Sequence, residues 1–226
     1  MIDLNGKGLA LAQLTLIALA GPAFAQGATA IADAAQSTEY GSGVNQNPVP
    51  TATLVPEDFD VPTLVETSDF KIVPLSPAIT KIDFAAYMSS IKHLQETFTR
   101  STDWPHEGIS DADALRDMEA EQARFRSRTS FAYAVLTPDG SRERGCVYIY
   151  PSDVEGYDAT VRIWVTKSEY DAGFDAELYQ WVTDWIRKDW PFVKVAYPGR
   201  AIGWRSWDAL VAANKARIAA AERRQR

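Results

Sequence analysis

The chain has little of what most redox, metal and disulfide chemistry needs: one cysteine and two histidines in 226 residues. A lone thiol closes no intramolecular disulfide, and no Cys/His spacing matches a zinc site, so no metal is expected. Cys146 sits in the run Gly145-Cys-Val-Tyr-Ile-Tyr150, a buried-strand pattern, with neither His93 nor His106 near it in sequence. It reads as a small core residue rather than a reactive thiol. Positive charge is also short. The formal net charge of −7 argues against nucleic-acid binding, which needs a basic face. The local exception is the tail, where Lys215, Arg217, Arg223, Arg224 and Arg226 suit the negative end of a helix dipole. No apolar run is long enough to span a bilayer comfortably. The longest, Leu9 to Ala20, is about a dozen residues.

That run has the shape of an export signal. Lys7 precedes it, Gly21-Pro22 breaks it, and Ala23-Phe24-Ala25 before Gln26 supplies the small-x-small cleavage pattern. Residues 1–25 are therefore expected to be a cleaved leader. The mature chain would be periplasmic or secreted, with no membrane attachment once the leader is gone; the alternative is a cytoplasmic chain that keeps its N-terminus. Residues 26–57 are rich in Ala, Gly, Ser, Thr, Asn and Pro, and Asn47-Pro-Val-Pro-Thr51 cannot hold a helix. They are expected to be a disordered linker, because they bury too little to offset ordering entropy.

From residue 58 the pattern becomes that of a folded domain, expected to run to residue 212, with a basic helical tail over 213–226. Phe70 to Leu75 alternates as a first strand. A long helix follows, with Phe84, Tyr87, Met88, Ile91 and Phe98 on one face. After the loop Arg100 to Gly108, Ser110 with Asp113 makes a capping-box start, and Leu115, Met118, Gln122 and Phe125 continue that helix's apolar face. Three antiparallel strands are expected around Phe131–Val135, Gly145–Tyr150 and Ala159–Thr166. The next helix carries the stripe Leu178, Trp181, Val182, Trp185 and Ile186, with Asp175 as its N-cap. A strand Val193–Tyr197, parallel to the one before the helix, and a final helix from Trp207 complete the order.

This order, with Phe59-Asp-Val-Pro62, Ser101-Thr-Asp-Trp-Pro105, Gly145 to Pro151 and Tyr197-Pro-Gly-Arg200, resembles a bacterial branch of the GNAT (GCN5-related) N-acetyltransferases. The resemblance implies an α+β fold with a mixed central sheet, mostly antiparallel with one splayed parallel pair, flanked by helices. It implies acetyl-CoA between the splayed strands, held by Trp164, Val165, Thr166, Lys167 and Gly173. It also implies transfer of an acyl group to an amine, with His106 and Glu107 as catalytic residues and Trp104, Tyr148 and Tyr150 against a small-molecule acceptor. The phosphate-binding word of that family appears here as Tyr170-Asp-Ala-Gly173-Phe-Asp175. Gly173 stands, Tyr170 replaces the usual Arg or Gln, and Asp175 replaces a small residue. An Asp at the N-cap would occupy the donors a pyrophosphate uses. Glu143, Glu155 and Asp158 are expected to be solvated turn residues. The second expected reading is therefore an exported, catalytically inactive protein of this fold that binds a small ligand or a protein partner.

Overall fold

The computed structural model describes residues 53–224. The expected leader, the linker as far as residue 52 and the last two residues of the tail lie outside the described residues. The domain reaches further back than residue 58. The Leu54 N–H donates to the Arg128 carbonyl at 2.7 Å, and Val55 is buried in the main core. Arg128 in turn donates to the Pro56 and Phe59 carbonyls at 2.6 and 2.7 Å. Two apolar side chains and a fixed backbone donor tie this stretch to the domain.

Two short strands, β1 (Val65–Glu66) and β2 (Lys71–Pro74), open the sheet. The expected long first helix is broken into pieces: a 3-10 turn at Pro77–Ile79, α1 (Thr80–Met88), α2 (Ile91–Leu94) and a π turn at Gln95–Thr99. The break falls at Ser89-Ser90. There Ser89 Oγ donates back to the Ala86 carbonyl at 2.6 Å, competing with the helix ladder. Ser90 does not cap α2; its Oγ accepts from the Lys167 N–H at 2.8 Å instead. The capping box of α3 (Asp111–Arg126) is present as expected, with Ser110 and Asp113 exchanging both bonds. Leu115 is exposed, however, and the buried face of α3 is Ala114, Met118 and Glu121.

The strands β3 (Phe131–Leu136), β4 (Glu143–Pro151) and β5 (Ala159–Val165) follow, then α4 (Lys167–Asp171), α5 (Phe174–Asp189), β6 (Val195–Ala196) and α6 (Trp204–Arg224). The six strands lie in the order of the chain, all antiparallel except the parallel pair β5–β6. Gly145 of β4 is required by close approach: a Cβ there would meet the Trp164 carbonyl oxygen at 2.1 Å. The expected tail is not a separate element but the end of α6. Among the described residues no helix is long and apolar enough to cross a membrane.

Both faces of the sheet are covered. One packs Phe131, Tyr133, Val147, Ile149, Val161 and Ile163 under the α5 stripe of Leu178, Val182, Trp185 and Ile186. The other packs Ala134, Cys146, Tyr148, Tyr150 and Trp164 against α1, α2 and Trp104. Burying each such large side chain contributes about 1.5–3 kcal/mol. β5 is covered on both sides except at Arg162.

Candidate ligand cleft

The strands β5 and β6 are joined at only two places, Ala159 to Val195 and Thr160 to Ala196. The strand expected over Val193–Tyr197 is shorter than its pattern, and Val193 projects into solvent. Beyond Ala196 the chain turns away through Pro198-Gly199, while β5 runs on to Val165. The two strands therefore part, and a cleft of about 270 Å³ opens where they do. Phe98, Arg162, Trp164, Val165, Pro198 and Trp204 are among its walls. A roomier hollow of about 560 Å³ lies between β2 and α3, but it holds none of the expected site residues. Its Asp139 is tied up by its own turn, accepting from Thr137 and Ser141. The smaller cleft is the better candidate because strand topology and lining chemistry coincide there.

Of the expected cofactor residues, Trp164 and Val165 line the cleft. Thr166 caps α4, its Oγ1 accepting from the Glu169 N–H. Lys167 is turned to other work: its N–H is bound by Ser90, and its Nζ pairs with Asp171 at 2.5 Å. Gly173 begins α5 with φ at +88°, a left-handed conformation that favours glycine, and no side chain caps that helix.

The expectation that Asp175 fills the N-terminus of α5 is corrected. Asp175 lies inside the first turn, and Arg200 takes its carboxylate with two hydrogen bonds at 2.5 and 2.6 Å. Glu169 is likewise spoken for, by Arg142 at 2.6 Å and Arg144 at 2.7 Å. Burial pushes its carboxyl up, but these two guanidiniums outweigh that and hold it below the usual range.

The expected catalytic and acceptor residues lie elsewhere. Trp104 is core, packed between Tyr87 at 5.2 Å, Phe98 at 6.1 Å and Trp164 at 6.4 Å. His106 Nδ1 accepts from the Gly108 N–H at 3.0 Å, Glu107 is exposed, and neither lines the cleft. Tyr148 and Tyr150 stack on each other at 5.6 Å and are buried behind Trp164, whose Nε1 donates to the Tyr148 hydroxyl. The loop Asp103 to Glu107 closes the core rather than the cleft.

Two cleft residues escaped the sequence reading. His93 on α2 lines the cleft with its ring 4.9 Å from that of Tyr170. Burial, and then the charge of Lys167, lower its pKa below the usual value, so the imidazole is neutral near pH 7. The other is Arg162. Neither stands out in the pattern of its own element, and it is the cleft that brings the two together.

Below the cleft, Asp83, Glu143 and Cys146 form a buried cluster. The Cys146 thiol donates to Glu143 Oε1 at 2.9 Å and lies 3.8 Å from Asp83 Oδ1. Glu143, expected to be solvated, is 1% exposed. Burial raises all three groups above their usual pKa values, Asp83 to about 7, which favours their protonated forms below neutrality. Their ligand atoms lie within 4.8 Å of one another, the one metal-like donor grouping among the described residues. The other two expected turn carboxylates are also engaged: Glu155 pairs with Arg217 at 2.5 Å, and Asp158 accepts from the Val193 and Lys194 N–H groups.

No protein-family model and no curated protein matches the chain. Among solved structures it is similar to a ribosomal-protein-S5-alanine acetyltransferase from Vibrio fischeri, 13% identical over 68% of this chain and 81% of the other, with a TM-score of 0.48. It is also similar to a ribosomal L7/L12 alpha-N-protein acetyltransferase in complex with coenzyme A, 13% identical over 56% of this chain and 70% of the other, with a TM-score of 0.44. A mixed six-stranded sheet with one splayed parallel pair and helices on both faces is the arrangement that the sequence resemblance implied. At these identities and TM-scores the likeness carries no argument of its own, and chemistry must be argued from the cleft.

Proposed function

We propose that the cleft between β5 and β6 binds acetyl-CoA and that the protein passes its acyl group to a small-molecule amine. The observation that supports this best is the parting of the two strands, which leaves the β5 edge from Val161 to Val165 without a strand partner. Backbone groups on such an edge pair with an extended, amide-bearing chain as they would with another strand. The pantetheine arm is such a chain. The start of α5, with side-chain-free Gly173 and uncapped N–H groups, suits the pyrophosphate. These residues fit the group. When bound, it supplies a thioester carbon open to direct attack by an amine. His93, neutral near pH 7, serves in this reading as the base that takes the proton from the amine nitrogen as the C–N bond forms; the thioester C–S bond would break, and that proton is the one available to the departing thiolate.

Calorimetric titration with acetyl-CoA tests the first half. Micromolar binding is expected, and folded protein that shows no binding would overturn the reading. His93→Gln should then lower turnover by about 10²-fold while leaving acetyl-CoA affinity unchanged.

A second reading has an observation of its own. The cations around α5 and α4 are already paired: Arg200 with Asp175, Lys167 with Asp171, Arg142 and Arg144 with Glu169. None of these four is free to meet a pyrophosphate at the start of α5, which favours a protein of this fold that binds another ligand without transfer. Export through residues 1–25 would strengthen this reading by removing the chain from the cytoplasmic CoA pool. An N-terminus at Gln26 in protein from the native host is the expected result of that export.

A further inference from the structure

Arg162 lies midway along β5, in register with Tyr148 of β4, and its side chain reaches the cleft wall. One Nη2 hydrogen goes to the Phe98 carbonyl oxygen. The guanidinium stacks on the Phe98 ring at 4.2 Å and lies 5.4 Å from the Trp204 ring. Its Nε is buried without a hydrogen-bond partner. The neighbouring guanidiniums are handled differently: Arg100 is clamped by Asp208 and Arg200 by Asp175, each through two hydrogen bonds. Among the described residues no carboxylate pairs with Arg162. The one other acidic side chain on the cleft wall, Glu96, is mostly exposed and nearest Lys92, at 3.9 Å. A half-buried cation with open donors and no counter-ion is costly to keep unless something else brings the charge. Removal from water opposes its charge, and no carboxylate offsets this.

We infer that the molecule bound in this cleft carries a carboxylate, which Arg162 receives, with its apolar part against Phe98, Trp164 and Trp204. The inference rests on the cleft being the ligand site proposed above, and it names the class of that ligand. A planar guanidinium fork matches a planar carboxylate, and one uncompensated positive charge balances a monoanion better than a phosphate dianion. The carboxylate could belong to an amino-acid acceptor or to the far end of a dicarboxylic acyl chain, and both present the same group to Arg162.

The test is calorimetry on the full chain without acetyl-CoA. The probes are L-phenylalanine and L-leucine, their amides, the corresponding amines, succinate and inorganic phosphate. At least one acid is expected to bind about tenfold more tightly than its matched amide, or succinate more tightly than succinamide. Arg162→Lys, which keeps the charge but loses the fork, should remove most of that preference while melting like the natural protein. Amino acids binding without succinate would identify the acceptor as the source, and succinate binding without amino acids would identify the acyl chain. Equal affinity for acid and amide, tighter binding of phosphate than of any carboxylate, no binding of any carboxylate, or an unchanged preference in Arg162→Lys would each overturn the inference. Carboxylate binding by a protein that ignores acetyl-CoA would keep this inference and remove the transferase reading; the reverse result would separate them the other way.

Discussion

The two faces of the sheet are built from the same three long strands and differ in almost everything else. Under α5 the packed side chains are nearly all apolar, and Phe131, Tyr133, Trp185 and Trp190 meet edge to face or tilted. On the opposite face the same strands present Cys146, Tyr148, Tyr150 and Arg162, with Asp83 and Glu143 buried beside them. Apolar burial is non-directional and tolerant, whereas each buried polar group needs a partner or a proton to remain there. The first face therefore holds the fold together, and the second carries whatever chemistry the protein has. The cleft opens on the side where β5 is left without a strand partner, with Arg162 and His93 on its walls.

The largest effect should come from the apolar face. Trp185 is 4% exposed, and Trp185→Ala should cost on the order of 3–5 kcal/mol in urea unfolding. A loss under about 1 kcal/mol would mean that α5 is not the main seal of the sheet.

The polar face should announce itself through pH. Burial raises Asp83, to about 7, and Glu143 above the usual carboxylate range, so in the folded chain both hold their protons to higher pH. The unfolded chain releases those protons at lower pH, so folding binds protons and stability falls as pH rises from the ordinary carboxylate range toward neutrality. Unfolding measured near pH 5 and near pH 8 should show the loss, and Asp83→Asn should flatten it. A profile that rises with pH and ignores Asp83→Asn would contradict the assignment.

How much of this was legible beforehand depended on the kind of signal. The α5 stripe, the three antiparallel strands and the Ser110–Asp113 box each follow from local periodicity or a local bond, and the parallel β5–β6 pair follows from the strand-helix-strand crossover. The position of Asp175 did not, because its partner Arg200 lies 25 residues away and outbids the helix N–H groups for its carboxylate. Glu143 looked like a turn residue because β4 starts earlier than its apolar run. Nothing in the pattern of a single element marks His93 or Arg162 as cleft residues. Their cleft exists only because Ser89 and Ser90 break the first helix and β6 stops after two paired residues.

Smaller changes sharpen the same contrast. Ser110→Ala removes one half of the capping box and should cost about 1 kcal/mol. Leu115→Ala should stay within about 0.5 kcal/mol, since Leu115 lies off the buried face of α3.

The claim at the centre is that the unpaired β5 edge is a binding edge, and amide hydrogen exchange reads it residue by residue. Adding saturating acetyl-CoA should slow exchange within Val161 to Val165 and at the start of α5, and leave β3 unchanged. Exchange at the β5 edge that stays the same while acetyl-CoA binds would put the ligand elsewhere and contradict the account.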